Sequence, residues 1–164
     1  MKIRIGFSTK KRNLLSRWIR KLYDVTYSHC YFCAESYLTG IPLIFEASNL
    51  SVMCISRVEF IDKSEIIEEI FIEVNNEVYA DILCFIELSL GTPFGFMTLI
   101  GIGIAKLFNL KRNPFADKNK TMHCSEFIDH ICAIIGMQPN DPDMVKPIDI
   151  NNKIKKWVVC STNG

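Results

Sequence analysis

The sequence predicts an α+β domain, and three observations carry that expectation. Short stretches at 2–7, 27–34, 43–48, 52–55 and 69–74 have strand character, several with clean alternation of apolar and polar residues. Longer stretches at about 11–22, 76–90, 93–110 and 124–136 are apolar or repeat their apolar residues at helical spacing. The chain has 164 residues, 49% of them hydrophobic, with no repeat and no linker to divide it, so residues 1–164 are read as one domain with a proper core.

The elements follow in order. Ile3, Ile5 and Phe7 share one side of the first strand. Ser8 and Thr9 are candidate caps for a helix whose core stripe is Leu14, Leu15, Trp18, Ile19 and Leu22. The stretch YSHCYFCA (27–34) is a strand; Thr39-Gly40 marks a turn, and Pro42 is tolerated at the start of the next strand, LIFEAS (43–48). These two strands pair as a hairpin, followed by a short strand at 52–55 and another at 69–74. Asn75 or Asn76 caps a helix with Val78, Ile82, Phe85 and Ile86 inward and Gly91 as its stop. The segment 93–110 is strongly apolar, but Lys106 and three glycines interrupt it and it is short for a bilayer span of about 20 residues. It is expected to be a buried core helix, with contact to a lipid surface left open. A polar loop, KRNPFADKNKTMH (111–123), leads into the helix 124–136, whose face is Phe127, Ile128, Ile131, Ile134 and Ile135, and Gly136 stops it. A last helix is expected at about 149–157.

Charge and cysteine content bound the classes. Net charge is +1, with a basic cluster of Lys10, Lys11, Arg12, Arg17, Arg20 and Lys21 and an acidic middle between Glu59 and Glu77. The basic cluster is expected to be the solvated face of a helix. The start of the chain lacks the apolar core and small-residue cleavage site of a signal peptide, and the seven cysteines are an odd number. Both point to free thiols in a reducing, cytoplasmic compartment. Nothing matches a phosphate loop or a nucleic-acid motif.

Chemistry concentrates at His123-Cys124-Ser125-Glu126-Phe127, where a polar loop turns into an apolar helix. A thiol in the first turn of a helix feels the positive end of the backbone dipole and ionises more readily. A thiolate nucleophile needs a base, and there are three histidines. His130 is six residues on, about 600° of helical rotation, and points elsewhere. His123 is adjacent, which makes a well-formed bond to the thiol awkward. His29 is held on a strand and can be aimed, so it is the candidate base. Glu46, a carboxylate inside the apolar strand LIFEAS, is the candidate orienting group, because a buried carboxylate needs a partner. Its alternative is to face water. A zinc site built from Cys30, Cys33 and His123-Cys124 is not expected. Residues three apart on a strand point to opposite faces, Tyr31-Phe32 is a poor turn, and no second C-x-x-C exists.

Four stretches, YSHCYF, IFEAS, GTPFGF at 91–96 and HCSEF, together with the closing KPIDINNKI, resemble the circularly permuted branch of the NlpC/P60 papain-like thiol hydrolases. The start, Ile-Gly-Phe-Ser-Thr before a basic helix, is most similar to small phage-encoded members, whose compartment would be the host cytoplasm. The resemblance implies a papain-like fold with a small, mostly antiparallel sheet packed against the nucleophile helix. It implies a triad of Cys124 as nucleophile, His29 as general base and Glu46 as orienting group, with no cofactor and no metal. It implies cleavage or transfer of acyl groups at an amide or ester, in a peptide, a peptidoglycan fragment or a lipid. Amide hydrolysis is the first expectation, and a lipid esterase or acyltransferase of the same fold is the second. A non-catalytic binding module is the third. Tyr27 and Phe94 are the candidate substrate-binding residues. The chain lacks the Gly-Asp pair that several cellular members carry before the histidine, so substrate detail does not carry over.

Overall fold

A computed structural model describes residues 1–11, 13–36, 39–48, 50–116 and 120–162. Arg12 of the basic cluster lies outside the described residues. The fold is α+β, with a five-stranded antiparallel sheet and six helices among the described residues. In chain order these are β1 (Lys2–Lys10), α1 (Leu14–Tyr23), β2 (His29–Glu35), β3 (Pro42–Ser48), β4 (Ser51–Ser56), α2 (Arg57–Lys63), β5 (Ser64–Glu73), α3 (Asn76–Ser89), α4 (Phe96–Leu107), α5 (Cys124–Ile134) and α6 (Pro147–Thr162). The strand order is β4-β3-β2-β1-β5.

The expected hairpin of β2 and β3 forms, with Phe32 opposite Phe45, and Pro42 opens β3 as its missing N–H requires. β1 runs beyond its alternating residues to Lys10 because β5 pairs it along its whole length. The register shifts between Phe7 and Ser8, a bulge that lets the last three residues of β1 continue opposite Ile66, Glu65 and Ser64. β5 therefore starts at Ser64, well before the expected 69. The helix α2 was not expected at all. Ser56 caps it by accepting the Glu59 N–H at 3.1 Å, and its one buried residue is Phe60.

The two faces of the sheet carry separate apolar clusters. On one face Ile5, Phe7, Cys30 and Phe32 meet Phe127, Ile128 and Ile131 of α5, with α3 and α6 behind. On the other, Tyr31, Cys33 and Ile44 are covered by Phe60 of α2. Cys30 and Cys33 thus face opposite sides of the sheet.

Two helices depart from the expected packing. α1 is capped by Asn13, which accepts the Ser16 N–H at 3.0 Å, because Ser8 and Thr9 belong to β1. Its inward anchor is partly polar: Ser16 is buried and hydrogen-bonds Thr9 at 2.9 Å and Ser28 at 2.5 Å, beside Ile19. This turns Leu14 and Trp18, both expected in the core, outward to 79% and 42% exposure. α4 is only half a core helix. Leu99, Ile102 and Ala105 are buried, while Phe96, Met97 and Leu107 are exposed. Its Gly101 admits the Asn113 side chain and its Gly103 admits the Trp18 ring, at distances a Cβ would forbid.

Gly6 of β1 is tied to the second face, because a Cβ there would lie 2.1 Å from the Tyr31 ring. Tyr31 cannot yield freely, since its hydroxyl donates to Glu69 at 2.8 Å and Glu69 also holds Arg57. Gly6→Ala is expected to cost about 1–3 kcal/mol by overpacking. It should lower the urea midpoint without changing the slope of the transition.

Candidate active site

Cys124 is the first residue of α5, and its position is set by a reciprocal cap. The His123 Nδ1 accepts the Glu126 N–H at 3.4 Å, and the Glu126 carboxylate accepts the His123 N–H at 3.4 Å. His123 Nε2 in turn donates to the Pro142 carbonyl at 3.2 Å. His123 is therefore a structural cap, a role that its chain position alone did not announce. His130 is exposed, with its ring 5.4 Å from that of Phe85.

The segment before Cys124 is fixed by backbone bonds. The Met122 N–H donates to Pro93 O at 2.9 Å, and the Gly95 N–H donates to Met122 O at 3.1 Å. The Phe94 N–H donates to Leu50 O at 2.8 Å, which ties the same splint to the end of β3 and β4. GTPFGF thus serves as a short brace between the sheet and the start of α5. It sets Phe94 on the wall of a cavity of about 320 Å³ that also holds His29 and Cys124.

His29 opens β2 and lies opposite Ser8 of β1. Its Nε2 meets Glu46 Oε2 at 2.5 Å. Glu46 is 1% exposed and points inward, not to water. Lys10 completes its shell, with Nζ at 3.0 Å and 3.3 Å from the two carboxylate oxygens. Burial opposes the charge on Glu46, but His29 and then Lys10 outweigh it and hold the pKa down at about 2. An ionised carboxylate only accepts, so Nε2 carries a proton and Nδ1 is the nitrogen left for the thiol.

Burial likewise opposes a charged His29, yet the neighbouring Cys124 and Glu46 raise its pKa from 6.5 to about 9. Cys124 moves the other way. A hydrogen bond from Cys30 and the charge and hydrogen bond of His29 hold its thiol well below the ordinary value, against the effect of burial. Cys30, fully buried beside it, is pushed well up, first by burial and then by Cys124. These directions favour transfer of the Cys124 proton to His29, while Cys30 keeps its own.

The structure brings Cys124, His29, Glu46 and Phe94 to one place and leaves out Tyr27. Tyr27 is 6% exposed and packs in the core, its ring 5.1 Å from that of Phe7, so it does not line the cavity. It lies just before β2, and its side chain joins the core cluster, so the expectation that it binds substrate is not met by its place in the fold. Sequence reasoning missed Lys10, Ser16 and Ser28, all on the cavity wall. Lys10 was legible only as part of a basic cluster, and its role follows from the extension of β1 past the bulge. The rest of the wall is largely apolar, with Leu15 and Ile19 of α1 facing Phe96 and Leu99 of α4.

Comparison of the sequence with protein-family models and with curated proteins finds no match to this chain.

The raised pKa of His29 means that its ion pairs stabilise the fold fully below pH 6.5 and lose that effect as the pH climbs through about 9. Followed by NMR, the His29 ring is expected to lose its proton near pH 9, and in Glu46→Gln the midpoint is expected to fall. A midpoint unmoved by that substitution would remove the carboxylate from the account.

Proposed function

We propose that this protein is a thiol hydrolase that opens an amide bond through an acyl-thioester, with Cys124 as nucleophile, His29 as acid and base, and Glu46 as orienting group. The observation that carries this reading is the pairing of a thiol at a helix start with an imidazole whose far nitrogen is held by a buried carboxylate. The resemblance to permuted NlpC/P60 papain-like enzymes points the same way.

In the first step the Cys124 sulfur attacks the carbonyl carbon and the carbonyl π electrons move to oxygen. The Cys124 N–H, in the first turn of α5 and outside the capping box, faces the developing oxyanion together with the helix dipole. As the oxyanion collapses, the C–N bond breaks and protonated His29 gives its proton to the departing amine. Water then attacks the thioester carbonyl, His29 takes the water's proton, and the acid leaves as Cys124 regains its electron pair. Glu46 keeps His29 in one orientation and compensates its charge through both half-reactions. Lys10 keeps Glu46 ionised and so stops the proton from moving on to the carboxylate.

A second reading, an esterase or acyltransferase acting on a lipid, is favoured by one feature: Leu15 and Ile19 of α1 and Phe96 and Leu99 of α4 give the cavity an apolar stretch of wall that suits an acyl chain. The chemistry at Cys124 is the same in both, with an alcohol in place of the amine.

Iodoacetamide at mildly acidic pH tests the activated thiol. Cys124 is expected to be alkylated at least about tenfold faster than the exposed Cys54, Cys84 and Cys160, despite its burial, because the thiolate is the reactive form. Equal rates would end the proposal. Cys124→Ser is expected to lower turnover of activated acyl amides and esters by at least about a thousandfold, and the ratio of the two substrates in the native protein separates the two readings.

A further inference from the structure

The two helices that wall the cavity also present an outer surface that the catalytic reading does not use. On α1, Leu14, Arg17, Trp18 and Lys21 follow helical spacing and are all exposed, so they form one outward stripe. On α4 the outward residues are Met97 and Leu107, followed by Phe108, and they are 53–70% exposed. The stripes are joined, because the Trp18 ring lies against Gly103 of α4 and the Lys106 ammonium sits 4.4 Å from the centre of the Tyr23 ring. The loop that follows adds the exposed Lys111 and Arg112, and it is anchored by Asn113, which donates to the Thr98 and Asp143 carbonyls at 2.9 Å and 2.8 Å. No acidic residue occurs between Met1 and Tyr23 or between Leu88 and Ala116. Among the described residues no helix is long and apolar enough to cross a membrane.

We propose that this α1–α4 surface docks on a bilayer of anionic lipids, with Trp18, Leu107 and Phe108 entering the boundary between headgroups and acyl chains. Arg17, Lys21, Lys111 and Arg112 then lie at the level of the phosphates. Charge complementarity selects this occupant. A second copy of the chain on the same surface would bring two basic rims together, and a nucleic acid would leave Leu14, Leu107 and Phe108 without an apolar partner. A short amphipathic element with aromatic and aliphatic side chains beside lysine and arginine fits the edge of a bilayer rather than its span. The inner faces of the same helices line the cavity of Cys124, so docking brings the cavity wall to the lipid surface.

The test is flotation of the full chain with vesicles of phosphatidylcholine alone and of phosphatidylcholine mixed with phosphatidylglycerol. Binding to the anionic vesicles is expected to be at least about tenfold tighter, given four basic side chains near the surface. Leu107→Ser combined with Phe108→Ser is expected to weaken it at least about tenfold, and Arg17→Glu combined with Lys111→Glu to do the same. All four positions are exposed, so thermal unfolding of both variants should match the parent and exclude misfolding as the cause. Cys124→Ala should bind like the parent, which keeps the outcome separate from the proposed chemistry. Absent binding, equal binding to the two vesicle types, or unchanged binding by either double variant would overturn the proposal. So would a dimer in solution that Leu107→Ser with Phe108→Ser dissolves, since that result would make a second copy the occupant.

Discussion

A carboxylate sealed inside a β-sheet is the constraint on which the site depends. Glu46 cannot be buried and ionised without compensation, and its compensation comes from two other strands, Lys10 of β1 and His29 of β2. Three strands are thereby held in register at one end of the sheet. The surroundings push the same way: Glu46 is held ionised beside His29 and Lys10, and the Cys124 thiol is made more acidic beside His29. A buried site with balanced charges avoids the desolvation penalty of a lone ion. It also keeps its strongest fields between its own members, where they set protonation states rather than repel a substrate.

The thiols divide in the same spirit. Cys30 and Cys124 are neighbours, each within 4.0 Å of the Ser125 hydroxyl, yet their acidities are driven apart. Cys30 has burial and the Cys124 sulfur beside it, whereas Cys124 has the helix start and an imidazole. Identical side chains a short distance apart thus differ in acidity, one pushed up and the other down. The difference is one of position relative to α5 and His29, not of composition.

Much of the fold was legible because periodicity reports burial directly. The strand LIFEAS, the apolar face of the helix that begins at Cys124, and a cap at Asn75, one of the two candidates, all appear where the sequence puts them. The pairing of His29 with Glu46 was legible for a physical reason too: an acid in an apolar strand demands a partner. What stayed hidden was non-local. Lys10 acquires its role from a bulge that only the pairing with β5 explains. Leu14 and Trp18 looked like core because they are apolar, but hydroxyl bonds from Ser16 to Thr9 and Ser28 decide which way α1 faces. Tyr27 looked like part of a strand, and the strand starts two residues later.

The brace formed by Pro93, Gly95 and Met122 has a consequence for how this chain tolerates change. Met122 stands two residues before Cys124, and its backbone bonds to Pro93 and Gly95 tie it to well-packed structure. A substitution that breaks those two bonds would move the sulfur without touching His29 or Glu46. The chain is thus least forgiving at a splint whose own residues bear no ionisable group.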